Sequence, residues 1–262
     1  MEIAVNLKNP AQFFAAAGIA QLFEVTSRFV VQEYEGEPDY RATFVFSGFD
    51  TRTLLTTLKA TTYEEQSEAD DARYSHDDDY SLPVLMKLPS KTIELDWWLN
   101  EFWSNKSRLK TWAGTTTPVS MLRRLLEMMD PDAGDILNFG VPTPGSNRPT
   151  WGFDPRVTKN TGVPGRLAKI RIYPVTELLC AVGLQYFQPQ PGSSEEISFS
   201  VWQDELPVEL AVVAGELEGV RTRTLTARRE KRSKGIFNYS AAEFVANRPG
   251  FRTTRTFAKN YG

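Results

Sequence analysis

The sequence predicts an α+β protein: two β-α-β-β (ferredoxin-like) halves, an irregular loop-rich middle between them, and a basic C-terminal tail. Three observations carry this reading. Residues 1–60 follow the order strand, helix, strand, strand; a motif from that helix recurs near residue 180; and Pro and Gly crowd part of the interval between. The expected divisions are 1–60, 61–165, 166–220 and 221–262.

In chain order, Glu2-Ile3-Ala4-Val5-Asn6-Leu7 alternates as a strand does. Asn9 then offers an N-cap, Pro10 the first helical position and Gln12 the reciprocal capping partner. The helix runs to about Glu24, with Phe13, Phe14, Ala17, Leu22 and Phe23 on its apolar side. Its Ala15-Ala16-Ala17-Gly18 stretch is small enough for another backbone to pack closely against it. Strands at Phe29–Tyr34 and Tyr40–Phe46 follow, joined by a turn through Gly36 and Pro38.

Residues 61–80 hold eight acidic side chains (Glu64, Glu65, Glu68, Asp70, Asp71, Asp77, Asp78, Asp79) against Arg73, and read as an exposed or mobile loop. A short hairpin (Leu82–Leu88, Lys91–Leu95) precedes Trp97, Trp98 and Trp103. A helix from Pro118 to about Met129 has Met121, Leu122, Leu125 and Met129 as its stripe, and 130–165 is an irregular Pro/Gly-rich connection. Further on, Leu179-Cys180-Ala181-Val182-Gly183-Leu184 aligns with Phe14-Ala15-Ala16-Ala17-Gly18-Ile19, and Pro174 precedes it much as Pro10 precedes the first. Strands are expected at Ala168–Ile172, Ile197–Trp202 and Val208–Val213. The match is either a duplication or the common look of a buried small-residue helix.

At 262 residues, with 41% hydrophobic and 24% charged residues, the chain has an ordinary globular composition and can bury a sizeable core. A single cysteine, Cys180, excludes an intramolecular disulfide and fits a reducing compartment. No apolar run approaches the length of a membrane span, and Met1-Glu2-Ile3-Ala4-Val5 lacks the basic region of a signal peptide. The expectation is a soluble cytoplasmic protein with no membrane contact.

Charge is unevenly placed. Residues 221–262 carry eleven Lys/Arg against Glu230 and Glu243, a net +9; with −3 over the whole chain, residues 1–220 carry −12. Such a split points to a polyanion partner, because Lys/Arg that neutralise phosphates release counterions. Phe237, Tyr239, Phe244, Phe251, Phe257 and Tyr261 are interleaved, either to stack on bases or as the core side of a terminal element.

Signals for catalysis are sparse. His76 with Asp77, Asp78 and Asp79 suggests a metal, but zinc wants convergent His and Cys, and the chain has one of each about a hundred residues apart; a solvated loop explains the run better. Glu94 and Asp96 make a weak carboxylate pair, as charged residues on a hairpin's wet face do. No Ser-His-Asp set, Walker loop or G-x-G-x-x-G stands out. No catalytic residue, metal or cofactor is therefore expected. The segment Lys110-Thr111-Trp112-Ala113-Gly114-Thr115-Thr116-Thr117-Pro118 sets a lysine and a glycine loop before a helix start: either a phosphate contact through Lys110 or an ordinary Thr117 cap. Gly152-Phe153-Asp154-Pro155-Arg156 is either a turn held by an Asp–Arg pair or a means of presenting Arg156 to a nucleic-acid backbone.

Several phrases in fixed order across residues 9–185 resemble one family. They are Asn9-Pro10-Ala11-Gln12-Phe13-Phe14-Ala15-Ala16-Ala17-Gly18, Leu95-Asp96-Trp97-Trp98, Lys110-Thr111-Trp112-Ala113-Gly114, Gly152-Phe153-Asp154-Pro155-Arg156, and Tyr173-Pro174 through Gly183-Leu184-Gln185. The family is that of short Cas proteins from type I-G (formerly I-U) CRISPR effector operons. The resemblance implies a non-enzymatic subunit of a Cascade-like, crRNA-guided surveillance complex in antiviral defence, in the large-subunit position that inspects the motif beside the target. Its partners would be other Cas effector subunits and crRNA or target DNA, since in such complexes base pairing reads the target while protein reads a short flanking motif and holds backbone. Arg228, Arg229, Lys231, Arg232 and Lys234 are then the expected contacts, extended by Arg248, Arg252 and Arg255 and supplemented by Lys110 and Arg156. The basic tail lies outside the matching phrases, so its role rests on charge. The alternatives are a crRNA-processing or metal-dependent nuclease using His76, and a purely structural assembly subunit.

Overall fold

Strand β1 (Glu2–Asn6) turns Ile3 and Val5 inward and leads through Asn9 into helix α1 (Pro10–Phe23). β2 (Ser27–Tyr34) and β3 (Glu37–Phe46) return as a hairpin, Tyr34 pairing with Glu37. β3 lies between β1 and β2 and is antiparallel to both, so β1 and β2 run in the same direction and α1 is the crossover between them. The computed structural model describes residues 1–34, 37–65, 83–95, 118–144, 149–151, 153–156, 169–191, 196–228 and 243–244, and these form an α+β fold of helices and small antiparallel sheets. Gly36, the greater part of the acidic tract with His76, Asp96, the tryptophans Trp97, Trp98 and Trp103, and Lys110 lie outside the described residues.

Asn9 caps α1 by accepting the Ala11 amide at 3.1 Å. Gln12 departs from the expected capping box. The Asn9 amide is already bonded to the Asn6 carbonyl at 2.9 Å, so Gln12 Oε1 accepts the Asn6 amide instead, at 2.7 Å. At the other end Glu24 takes a left-handed conformation (φ 51°) and returns its N–H to the Ala20 carbonyl. Lys91 Nζ donates to the Gln21 carbonyl at 2.9 Å and to the Glu24 carboxylate at 2.6 Å, placing a cation at the negative end of the helix dipole.

The first two divisions contain more regular structure than expected. Asp50 accepts the Thr53 amide at 2.7 Å and starts α2 (Thr51–Lys59), which buries Leu54, Leu55 and Leu58. The acidic tract opens as a strand, β4 (Thr62–Glu65), which pairs with the predicted hairpin β5 (Val84–Lys87) and β6 (Thr92–Leu95) in the order β4-β5-β6. Tyr63 is the only buried residue of β4, which is why the charges hid it. Helix α3 (Pro118–Met128) falls where its apolar stripe put it.

The second half repeats the order of elements but not the sheet. β8 (Lys169–Ile172) pairs with β7 (Val141–Pro144), a strand inside the Pro-rich connection, rather than with the later strands. In that ladder Pro142 faces Arg171 and Pro144 faces Lys169. Proline has no amide hydrogen, so the hydrogen-bonded pairs are Val141 with Ile172 and Thr143 with Ile170. After α4 (Pro174–Tyr186) comes a separate sheet of β9 (Gln190–Pro191), β10 (Glu196–Trp202), β11 (Thr222–Arg228) and β12 (Glu243–Phe244), in the order β12-β11-β10-β9. The strand expected at Val208–Val213 is instead a helical turn, α5 (Val208–Ala211), running toward a 3-10 turn at Ala214–Glu216. Pro207 sets its entry, and its buried residues Val208 and Ala211 are spaced three apart, a helical interval.

One core joins the halves. Phe13 stacks on Phe29 at 5.5 Å and on Phe199 at 4.6 Å, while Trp202 meets Phe29 edge-on at 4.8 Å and stacks on Phe187 at 5.2 Å. Trp202 Nε1 donates to the Ser27 carbonyl at 3.0 Å, so the buried indole is satisfied across the junction. The aligned glycines meet at the contact between α1 and α4. A Cβ on Gly18 would run into the Leu179 carbonyl oxygen, and one on Gly183 into that of Phe14. Phe14 aligns with Leu179 and Gly18 with Gly183, so the contact is reciprocal, as across a two-fold axis.

Candidate functional site

The N-terminal turns of α1 and α4 meet at one acceptor. Gln12 Nε2 approaches the Leu137 carbonyl at 3.5 Å, and Thr176 Oγ1 donates to it at 2.9 Å. With Gly18 already beside Gly183, the two helices must run in the same sense, bringing two positive dipole ends together. Buried carboxylates answer them. Glu177 and Asp154 are each 0% exposed.

Glu177 projects from the first turn of α4 onto the strap of residues 149–156. Its Oε2 accepts the Trp151 amide and its Oε1 the Asp154 amide, each at 3.1 Å, and the Thr150 side chain is a further partner. Asp154 in turn holds Arg156: its Oδ1 accepts Nε at 2.9 Å and its Oδ2 accepts Nη2 at 2.6 Å. The guanidinium continues to Asn138 Oδ1 through Nη1 and to the Leu137 carbonyl through Nη2 at 2.9 Å, and it lies over the Tyr173 ring at 3.6 Å. Asn138 also accepts Gln12 Nε2 at 2.8 Å and donates to Asp135 at 2.9 Å. Two loops and two helix ends are thus tied into one polar knot.

Burial pushes the Glu177 carboxyl up to about 7, reinforced by the neighbouring Asp154 charge and opposed by the amide and hydroxyl donors. Burial likewise raises the Cys180 thiol, with Glu177 and Asp154 adding to it, so this cysteine is a poor nucleophile. Both carboxyls are enclosed, and the hydrogen bonds of Glu177 tie the strap to the first turn of α4. Among the described residues no group of three or more His, Cys, Asp or Glu is placed to hold a metal.

Of the expected contact residues, Arg156 is in this knot. Its turn is held by the Asp–Arg pair, and all three guanidinium nitrogens donate to protein acceptors. Arg228 is the last residue of β11. Arg229, Lys231, Arg232, Lys234, Arg248, Arg252, Arg255 and Lys110 lie outside the described residues. The topology does fix the ends of the first cluster. Leu225 pairs with Phe244 and Thr226 with Glu243, so residues 229–242 connect two neighbouring antiparallel strands and are anchored on both sides. The basic segment also begins inside the fold: Arg221 clasps Asp204 at 2.7 Å and Arg223 pairs with Glu33 of β2. Glu177, Asn138 and Leu137 were not singled out from sequence. One signal was present for Glu177, the only charged residue between Pro174 and Leu184.

Among the described residues no helix is long and apolar enough to cross a membrane. Comparison of the chain with protein-family models, curated proteins and solved structures gives no match.

Proposed function

We propose that the chain is a non-enzymatic subunit of a type I-G CRISPR effector complex that holds crRNA or target DNA through its basic C-terminal segment. The observation that carries this reading is the charge split, +9 over residues 221–262 against −12 over the rest. The pairing of β11 with β12 supports it, because it ties the ends of the run containing Arg229, Lys231, Arg232 and Lys234 to a sheet. A segment held at both ends loses less freedom on binding than one held at a single end, so its cations would bind backbone phosphates at lower entropic cost. The acidic body would face other subunits. Arg156 contributes by fixing the strap rather than by touching phosphate, since its guanidinium is already committed.

The test is charge reversal of Arg228, Arg229, Lys231 and Arg232 to Glu, read as affinity for crRNA and DNA across a salt series. Each lost phosphate contact lowers the log–log salt slope by about 0.9 on duplex DNA, so four should lower it by about 3 to 4. Unchanged affinity and slope would remove the segment from the interface. Two other readings have their own outcomes. Assembly with partner subunits that survives nuclease treatment, with no nucleic acid retained, marks a purely structural subunit. Cleavage of precursor crRNA that is lost in His76→Ala marks a nuclease.

A further inference from the structure

We propose that the outer face of the β1-β3-β2 sheet is a self-complementary surface that takes a second copy of this chain, face to face. Ile3, Val5, Phe29 and Phe44 are buried on the inner side, so the residues alternating with them form the outer one. The register sets these in rows across the three strands. Glu2, Val45 and Arg28 make one row; Ala4, Thr43 and Val30 the next; Asn6 and Arg41 follow. Every one of them is exposed or half-exposed, and Val30 keeps 43% of its surface in water. A two-fold axis parallel to the strands and above β3 keeps each row but exchanges its margins. Glu2 of each copy then stands over Arg28 of the other and Ala4 over Val30, while Thr43 and Val45 meet their own counterparts. Carboxylate meets guanidinium and small side chain meets large, each twice. Arg41 meets Arg41, but each brings its own Asp39, bonded at 2.6 Å, so no bare like charge sits at the axis. Sheets packed in this way stand about 10 Å apart with strands about 30° askew, within reach of an arginine at the margin. The rows hold no aromatic side chain on which a base could stack, and their charges are of both signs, so the face fits its own copy better than a nucleic acid.

The experiment is sedimentation equilibrium of the full chain, treated with nuclease so that bound nucleic acid cannot bridge two copies. A three-stranded face is smaller than a standard interface, so the dimer is weak and the concentration series runs to about 1 mM. The wild type should show a monomer–dimer equilibrium that weakens as salt is added. Glu2→Arg and Arg28→Glu each set like charges against each other at two symmetric places, and each should weaken association roughly tenfold. The combined Glu2→Arg, Arg28→Glu chain restores both pairs in reverse and should return the dimer to within about threefold of the wild type. A chain that stays monomeric over the whole series overturns the dimer. So does association that neither single substitution weakens, or a double variant as weak as either single one. Should a variant fail to fold, the wild type decides by NMR. The methyl signals of Ala4, Val30 and Val45 should shift with protein concentration, and signals that stay fixed while others move overturn this face.

Discussion

Replacing Gly18 with alanine sets two well-understood effects against each other. In a helix interior the change is worth about 1 kcal/mol in favour of folding, because alanine loses less backbone freedom. Here, however, the added Cβ points at the Leu179 carbonyl oxygen and sits 3.1 Å from the Gly183 amide nitrogen. Both obstacles are backbone, so no side chain can swing aside; the helices must part. Overpacking of this kind costs about 1–3 kcal/mol, and parting α1 from α4 also loosens the aromatic cluster around Phe13 and Phe14. The net expectation is a loss of about 2 kcal/mol, seen as a lower urea midpoint at unchanged slope. Gly183→Ala, which meets the Phe14 carbonyl, should cost a similar amount. The double variant should cost clearly less than the sum, because one separation relieves both clashes. Single variants as stable as the wild type, or fully additive losses, would refute the reciprocal contact.

Other consequences can be checked in the same assay. Arg156→Ala leaves Asp154 enclosed without its partner and should cost about 3–5 kcal/mol; Arg156→Lys should rescue little of this, since an ammonium can neither fork onto a carboxylate nor lie flat on Tyr173. Glu24→Gly should stabilise by up to about 1 kcal/mol, because relief of the left-handed conformation outweighs the loss of an exposed pair with Lys91. Glu177 binds its proton more tightly folded than unfolded, so its contribution is complete below about 4.5 and lost as pH rises through about 7. The difference is on the order of 3 kcal/mol between pH 5 and 8, measurable as unfolding free energy and absent in Glu177→Gln.

Elements with strong local signals were legible in the sequence: α1 from its cap and proline, α3 from its stripe, β5 and β6 from their turn. The small-residue run also foretold the close approach of another backbone at Gly18. What failed were decisions made at long range. β8 has the composition of a strand for either neighbour, and only tertiary packing hands it to β7. The Val208–Val213 run reads as a strand until Pro207 and the clasp between Arg221 and Asp204 are seen to defer the strand to β11. The site was half legible. Asp154 and Arg156 stood together in sequence, but Asn138 and the Leu137 carbonyl reach them from a separate loop that no local pattern joins to them.

The ladder between β7 and β8 has a further consequence at its outer rim. Since Val141 and Thr143 spend their amides on β8, the residues whose backbone faces away are Pro142 and Pro144. That rim therefore offers carbonyl acceptors but no donors, and a foreign strand laid against it could form only half of its ladder. Sheet growth past β7 is closed off, so any partner that docks by adding a strand, or any copy that associates edge to edge, has to find a different margin of the molecule.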